Sequence, residues 1–267
     1  METKEFAKNM RKLILEGIYN AKSGHPGGSL SCTDIVAVLF NEEMRIDPKN
    51  PKDPNRDRFV MSKGHASCTL YSALALKGYF PTEDVKTFRK IDSILEGHPD
   101  MKYIPGVDMS TGSLGQGISA ACGMALNAKR KGLDYRVYSV LGDGECEEGQ
   151  VWEAMMFAAH YKLDNLCFFL DFNGLQIDGD ITKVMSPLPF DQKLKAFGMN
   201  LIEIDGHDYD QIRSALAQAK ATKGMPTAVL AHTVKGKGVS FMENVASWHG
   251  TAPNAEQFEE AIKELNA

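Results

Sequence analysis

Two residues with side-chain oxygens stand at the ends of apolar runs and are the first candidates for chemistry. One run closes on Gly142-Asp143-Gly144 and the next on Asp171-Phe172-Asn173. The residues between them read as a helix, so 137–179 is strand, turn, helix, strand, turn. In a parallel sheet the carboxyl ends of the strands face the ligand crevice, which would put Asp143 and Asn173 on one edge. Oxygen donors on glycine-flanked turns suit a small hard cation such as Mg2+, which is usually also held by phosphate oxygens. The stretch therefore reads as a metal–diphosphate site. Taken singly, GDG and Asn173-Gly174 are more simply tight turns, because Asp, Asn and Gly all favour turns. Their pairing at two strand ends shifts the balance. Glu145, Glu147 and Glu148 fall where the following helix begins, a position that suits carboxylates. Glu145 and Glu147 read as a solvated acidic face. Such a face would repel a bare diphosphate, so a metal must bridge.

Four histidines share an unusual context. His25, His65, His98 and His249 lie in SGHPGG, SKGHAS, EGHPD and SWHGTAP, all Gly- or Pro-rich turns. Imidazoles bind phosphate or hydroxyl groups and move protons near neutral pH. There is no HExxH and the four lie far apart in sequence, so zinc ligation is disfavoured. His160, His207 and His232 lack the context and read as structural. Gly112-Ser113-Leu114-Gly115-Gln116-Gly117 resembles a phosphate loop, but no Lys-Ser/Thr pair follows it. Lys235-Gly236-Lys237-Gly238 reads as a mobile basic turn. Cys146 has no adjacent base and is not expected to be a nucleophile.

The elements that must carry these residues alternate. Apolar spacing predicts helices over 5–22, 32–41, 66–76, 118–131, 209–220 and 256–265, with Pro26 stopping any helix at the first turn. Strands are expected at 59–61, 200–204 and 227–232, besides the two above. Residues 46–58 are a proline-broken loop, and 97–117 a longer one in which seven residues are Gly or Pro. A loop that long inside a compact domain is usually functional or mobile. Alternation of this kind favours a doubly wound α/β fold, a mainly parallel sheet with helices on both faces. The 267 residues, 43% hydrophobic, suffice for one large domain over 1–267. Net charge is -5, with no long basic run, so nucleic acid is not the expected partner. The five cysteines form no CxxC pair, which argues against a zinc site or a disulfide framework. No secretory core or bilayer-length apolar run is visible, and a cytoplasmic protein is the expectation.

The ordered set SGHPGG, SKGHA, GHPD, STGSLGQG, LGDGECEEGQVWEA, DFNGLQIDG, VKGKG and WHGTAP resembles the N-terminal part of transketolase over about residues 5–255. GDG followed by Asn at the end of the next strand is the thiamine-diphosphate signature of the wider superfamily. SGHPGG and SKGHA resemble transketolase rather than 1-deoxyxylulose-5-phosphate synthase. The resemblance implies a cofactor, thiamine diphosphate, held with Mg2+ or Ca2+. Asp143 and Asn173 would bind the metal by side chains and Leu175 by its carbonyl. His65, His249, Gly112, Leu114, Gly142, Gly144, Asp143 and Asn173 would form the cofactor site. His25, His98 and His249 would contact the sugar substrates and assist proton transfer. Glu148 matches an acidic residue that links two active sites across a subunit interface. Phe172 departs mildly, standing where a polar residue often precedes the metal-binding Asn.

Transketolases continue into a pyrimidine-binding and a C-terminal domain, which carry the activating glutamate and most phosphate-binding arginines. The resemblance is therefore to the N-terminal subunit of a split transketolase, inactive alone. Its partner would be a C-terminal subunit, in a heterotetramer that moves a two-carbon ketol unit between sugar phosphates. Two alternatives are the same architecture acting on a branched or sulfonated sugar, and a non-catalytic cofactor-binding paralogue.

Overall fold

Five apolar runs pair as one all-parallel sheet in the computed structural model, which describes all residues 1–267. They are β1 (Arg58–Met61), β2 (Val137–Gly142), β3 (Leu166–Phe172), β4 (Asn200–Asp205) and β5 (Thr227–His232). Their order across the sheet is β1-β2-β3-β5-β4. Register pairs Gly142 with Asp171 and Asp171 with Ala231, so the carboxyl ends of the three central strands finish level.

Successive side chains on a strand point to opposite faces. In β3, Cys167 and Phe169 enter one core while Leu166, Phe168 and Leu170 enter the other. In β5, Val229 and Ala231 part from Ala228 and Leu230 in the same way. Both faces are buried, which is why these strands read as unbroken apolar runs instead of alternating ones. The helices in chain order are α1 (Thr3–Ala21), α2 (Pro26–Ser31), α3 (Thr33–Val38), α4 (Ser67–Lys77) and α5 (Gln116–Lys131). They continue with α6 (Gly149–His160), α7 (Ile181–Val184), α8 (Phe190–Ala196), α9 (Tyr209–Ala221) and α10 (Ala255–Asn266). Phe6, Met10 and Ile14 of α1 pack in one core with α3, α4, α9 and α10. Ala121 and Ala125 of α5 pack in the other with α6 and α8. The doubly wound fold expected from the alternation is the one observed.

Pro26 does not stop a helix but starts one, at a first-turn position where the missing N–H has no partner to lose. The helix expected over 32–41 is broken instead. α2 and α3 meet at Cys32, and a π-turn follows at Leu39–Glu43. A hydroxyl competes for a local carbonyl here: Thr33 Oγ1 donates to Ser29 O at 2.9 Å. Such back-bonding bends helices. A two-residue hairpin, Leu175–Gln176 with Gly179–Asp180, is too short to show in the sequence pattern.

One buried polar network fixes the loop after β5 to the first helices. Arg11 donates twice to Asp34, at 3.0 and 2.6 Å, and its Nε donates to Lys237 O. Tyr209 OH donates to Asp34 at 2.6 Å. His207 Nε2 accepts from Val234 N, so its proton sits on Nδ1 and is donated to Asp34. Burial alone would raise the Asp34 pKa, but His207 and Arg11 outweigh it and hold the carboxyl well below its ordinary range. Its contribution is present above the unfolded carboxyl pKa and lost as pH falls through that region. Asp34→Ala leaves the Arg11 guanidinium buried and unpaired. It should cost about 3–5 kcal/mol in urea unfolding; a loss under about 1 kcal/mol, typical of an exposed pair, would refute the network's role.

Candidate active site

Parallel strands deliver their carboxyl-terminal residues to one edge, and the site is built there. Lys63 lies just after β1, Asp171 is the last residue but one of β3, and both are almost fully buried. Lys63 Nζ contacts Asp171 Oδ2 at 2.5 Å and Gly28 O at 2.6 Å, with Ser31 Oγ at 3.4 Å. Ser31 Oγ and Thr233 Oγ1 also donate to the Asp171 carboxylate. Burial alone would lower the Lys63 ammonium, but Asp171 more than offsets it and holds Lys63 above its ordinary value. Burial would likewise raise Asp171, yet Lys63 and the donated hydrogen bonds keep it low. The pair is ionised at neutral pH.

Beside it, Asp143 is buried at the turn after β2. Oδ1 accepts from Gly144 N at 2.8 Å and Oδ2 from Gly174 N at 2.6 Å. Burial, with nearby Asp171, pushes its carboxyl up. Asn173 Oδ1 accepts from Leu175 N at 3.1 Å, so the two turns carry three oxygens, from Asp143, Asn173 and the Leu175 carbonyl.

Glu145 corrects the expectation of a solvated acidic face. It is 2% exposed and accepts from Ser62 Oγ at 2.5 Å and from the amides of Gly115 and Gly142, each at 3.0 Å. It thereby pins the glycine-rich 112–117 loop against the turn after β2. Glu147 is exposed, as expected, and accepts from Gln176.

Lys235 corrects the reading of 235–238 as a mobile basic turn. It is 2% exposed, donates to Leu175 O at 2.8 Å and lies 3.1 Å from His249 Nδ1. Gly236 N donates to Gly27 O, and a Cβ at Gly27 would come within 2.9 Å of the Lys235 side chain. The absence of a side chain at Gly27 is what lets Lys235 lie flat against the site. Burial pushes its pKa down.

Three of the four loop histidines form a cluster. Ring centroids of His25, His65 and His249 lie 5.1–5.5 Å apart. Burial and the surrounding cations hold all three neutral: His25 falls to about 4, His249 to about 3, and His65 well below its ordinary value. His25 Nδ1 is buried with no hydrogen-bond partner. Together these groups enclose a cavity of about 240 Å³. It is lined by His25, His65, His249, Gly112, Leu114, Gly142, Asp143, Gly144, Asn173 and Leu175, ten of the twelve positions singled out from the sequence.

The remaining two stand outside. His98 is exposed at the rim, its ring 6.4 Å from His25, and Glu148 is exposed at the start of α6. Lys63, Glu145, Gln176, Ile177 and Lys235 line the cavity without having been singled out, and Asp171 lies beneath it. An acid inside the apolar run CFFLDF was the one signal that could have found Asp171. Of the histidines read as structural, His207 belongs to the Asp34 network, His160 is exposed, and His232 is exposed and contacts Glu203. Cys146 is buried with its thiol pushed up, so it is no nucleophile.

Residues 2–266 match the family described as transketolase, thiamine diphosphate binding domain. The chain is 48% identical to the 6-deoxy-6-sulfo-D-fructose transketolase subunit SqwG of Clostridium sp. (strain MSTE9), over 97% of this chain and 94% of that one. It is 43% identical to one of the subunits of the apulose-4-phosphate transketolase of Phocaeicola vulgatus, over 100% and 95%. The crystal structure of transketolase from Campylobacter jejuni superposes with a TM-score of 0.94 at 36% identity. It covers all of this chain, which spans 43% of that one.

Neutral, buried imidazoles must take up protons when the chain unfolds, at an ordinary pKa near 6.5. Their stabilisation is therefore complete above about pH 6.5 and is lost as pH falls toward the folded values. Ring-proton NMR of the free chain should give midpoints of about 4 for His25 and about 3 for His249. Midpoints near 6.5 for both would show that the cluster is open to water.

Proposed function

Because the chain belongs to the transketolase family, in its thiamine-diphosphate-binding domain, we propose that it is the diphosphate-binding subunit of a two-chain ketol transferase. The reaction moves a two-carbon ketol unit from a ketose phosphate to an aldose phosphate. The observation that carries this reading is the buried edge itself. Three oxygen donors, two ammonium groups and three neutral imidazoles converge on one small cavity, and one of the imidazoles has an unpartnered Nδ1. Relatives that bear the name subunit are matched over 94–95% of their length, which supports a separate partner chain.

The residues present fit the cofactor. Asp143, Asn173 and the Leu175 carbonyl form the all-oxygen set that suits Mg2+ or Ca2+. His65, His249, Gly112, Leu114, Gly142 and Gly144 would line the cofactor, with Lys63 and Lys235 offsetting the charge of its diphosphate. Thiamine diphosphate supplies, when bound, the carbanion and the electron sink. The protein's part is to orient, to exclude water and to hold protons. A neutral imidazole offers one N–H donor and one acceptor nitrogen. His25 can therefore donate to a developing alkoxide or accept a hydroxyl proton without first losing a charge. His249 would share that face and His98 would meet the sugar from the rim. Glu148, exposed at the start of α6, would face a second copy, giving a heterotetramer of two chains of each kind.

A second reading keeps the architecture and changes the sugar. The two subunits described above are named for a sulfonated fructose and for apulose 4-phosphate, which favours an unusual substrate. A non-catalytic paralogue is disfavoured, because ten of the twelve positions line one cavity and the buried pair beneath it is intact.

The decisive test mixes this chain with a chain carrying the pyrimidine-binding half, thiamine diphosphate and Mg2+, over a panel of ketose phosphates. Two-carbon transfer should appear only with both chains present, and activity from this chain alone would overturn the proposal. Asp143→Ala should weaken metal-dependent cofactor binding by at least about tenfold, roughly 1.4 kcal/mol, in calorimetry of the complex. Unchanged binding would remove Asp143 from the metal site.

A further inference from the structure

Two ammonium groups line the cavity, and the fold uses them differently. Lys63 is matched by the Asp171 carboxylate. Lys235 touches no carboxylate: its Nζ lies 2.8 Å from Leu175 O and 3.1 Å from His249 Nδ1. The other ring nitrogen of His249, Nε2, makes no hydrogen bond within the chain. Unlike His25 Nδ1, it is not sealed away from the cavity.

Both partners are held in place. A Cβ at Gly27 would lie 2.9 Å from Lys235 Cγ, so the lysine stem fills the space that glycine leaves. On either side of the stem, Gly236 N donates to Gly27 O and Asn244 N to Lys235 O. Gly236 has φ 80, and a Cβ there would run into Met242 O at 2.3 Å, so the turn after the lysine accepts only glycine. On the histidine side, Trp248 is buried and its Nε1 donates to Phe241 O at 3.0 Å. The His249 ring then stands edge-on to His25, with centroids 5.5 Å apart.

An ammonium has three N–H donors and no acceptor, so toward Nδ1 it can only donate. The hydrogen bond made by one ring nitrogen decides which nitrogen keeps the proton. We propose that Lys235 is a positioning residue that fixes the tautomer of His249, keeping the ring proton on Nε2, where the imidazole meets the cavity as a donor. The preceding residue does the reverse elsewhere: Val234 N donates to His207 Nε2 and leaves that proton on Nδ1. Residues 234 and 235 thus set two histidines in opposite senses. The tautomer follows from geometry alone, and its use rests on the functional reading above. A donor at Nε2 suits an oxygen that carries or develops negative charge, and it does not suit proton abstraction. His25, whose Nδ1 has no partner, is left free to donate or accept.

The first test reads the tautomers directly, by 15N–1H correlation of the histidine ring nitrogens of the full chain near neutral pH. His249 should show an unprotonated, hydrogen-bonded Nδ1 and a protonated Nε2, with His207 as an internal reference of the opposite kind. Lys235→Met should move the His249 Nδ1 signal to that of an unbonded nitrogen and leave His207 in place. Lys235→Leu is read instead if the His207 signals move, since that would mark a disturbed loop. A protonated Nδ1 in wild type, or an Nδ1 signal unchanged without the lysine, would overturn the inference. The second test uses the two-chain complex. A Gln side chain brings its amide N–H near the Nε2 position and Asn near that of Nδ1. His249→Asn should therefore lower kcat at least about tenfold more than His249→Gln, since losing an oriented donor costs about a hundredfold or more. Equal losses would overturn the donor role. If the complex transfers nothing, the functional reading fails and the spectra alone decide the tautomer.

Discussion

The Lys63–Asp171 ion pair is the interaction on which the site depends. Removing two charges from water costs several kcal/mol for each ion, and only close contact with full hydrogen bonding offsets it. Both conditions are met. The three N–H groups of Lys63 face Asp171, Gly28 O and Ser31 Oγ. Asp171 accepts further from Ser31, Thr233 and Asn173. α2, the turn after β1, the end of β3 and the loop after β5 are thereby fixed to one another at a single point. Asn173 is two residues from Asp171 and Lys235 two residues from Thr233, so the pair sets the position of the groups above it. Breaking either half would strand the other charge in the protein, which is why the arrangement stands or falls as a unit.

Burial sets the protonation of the histidines, and the cations around them add to it: Lys235 acts on all three and Lys63 on His65 and His249. The imidazoles therefore stay neutral, with a donor and an acceptor each. A cavity whose fixed groups are already ordered by the fold needs little reorganisation when charge develops within it.

How much of this the sequence shows follows from what is local and what is not. Asp143 and Asn173 were legible because they end apolar strands, and a parallel sheet brings strand ends to one edge. The doubly wound fold was legible for the same reason. Burial of Glu145 was not, because its partners Ser62 and Gly115 come from 83 and 30 residues away. Lys235 was misread because its order depends on a missing side chain at Gly27, far away in sequence. His98 shares the turn context of the other three histidines yet lies at the rim, since Gly and Pro neighbours encode a turn and not its depth. The break at Cys32 goes with the Thr33 hydroxyl bonding backward to Ser29 O, an effect apolar spacing does not record.

The floor and the mouth of the cavity differ in how finished they are. On the floor Lys63, Asp171 and Glu145 have their partners within the chain. At the mouth His98 is exposed, and Ile177 is 68% exposed although it lines the cavity. An apolar side chain left in water beside ordered polar groups gains by being covered, roughly in proportion to the area removed from solvent. Covering the mouth would also exclude water from the reacting end, where electrostatic interactions then strengthen. The division fits a subunit that completes the charged, diphosphate-holding half of a site by itself. What it leaves open is the half where a second chain would have to close over the substrate.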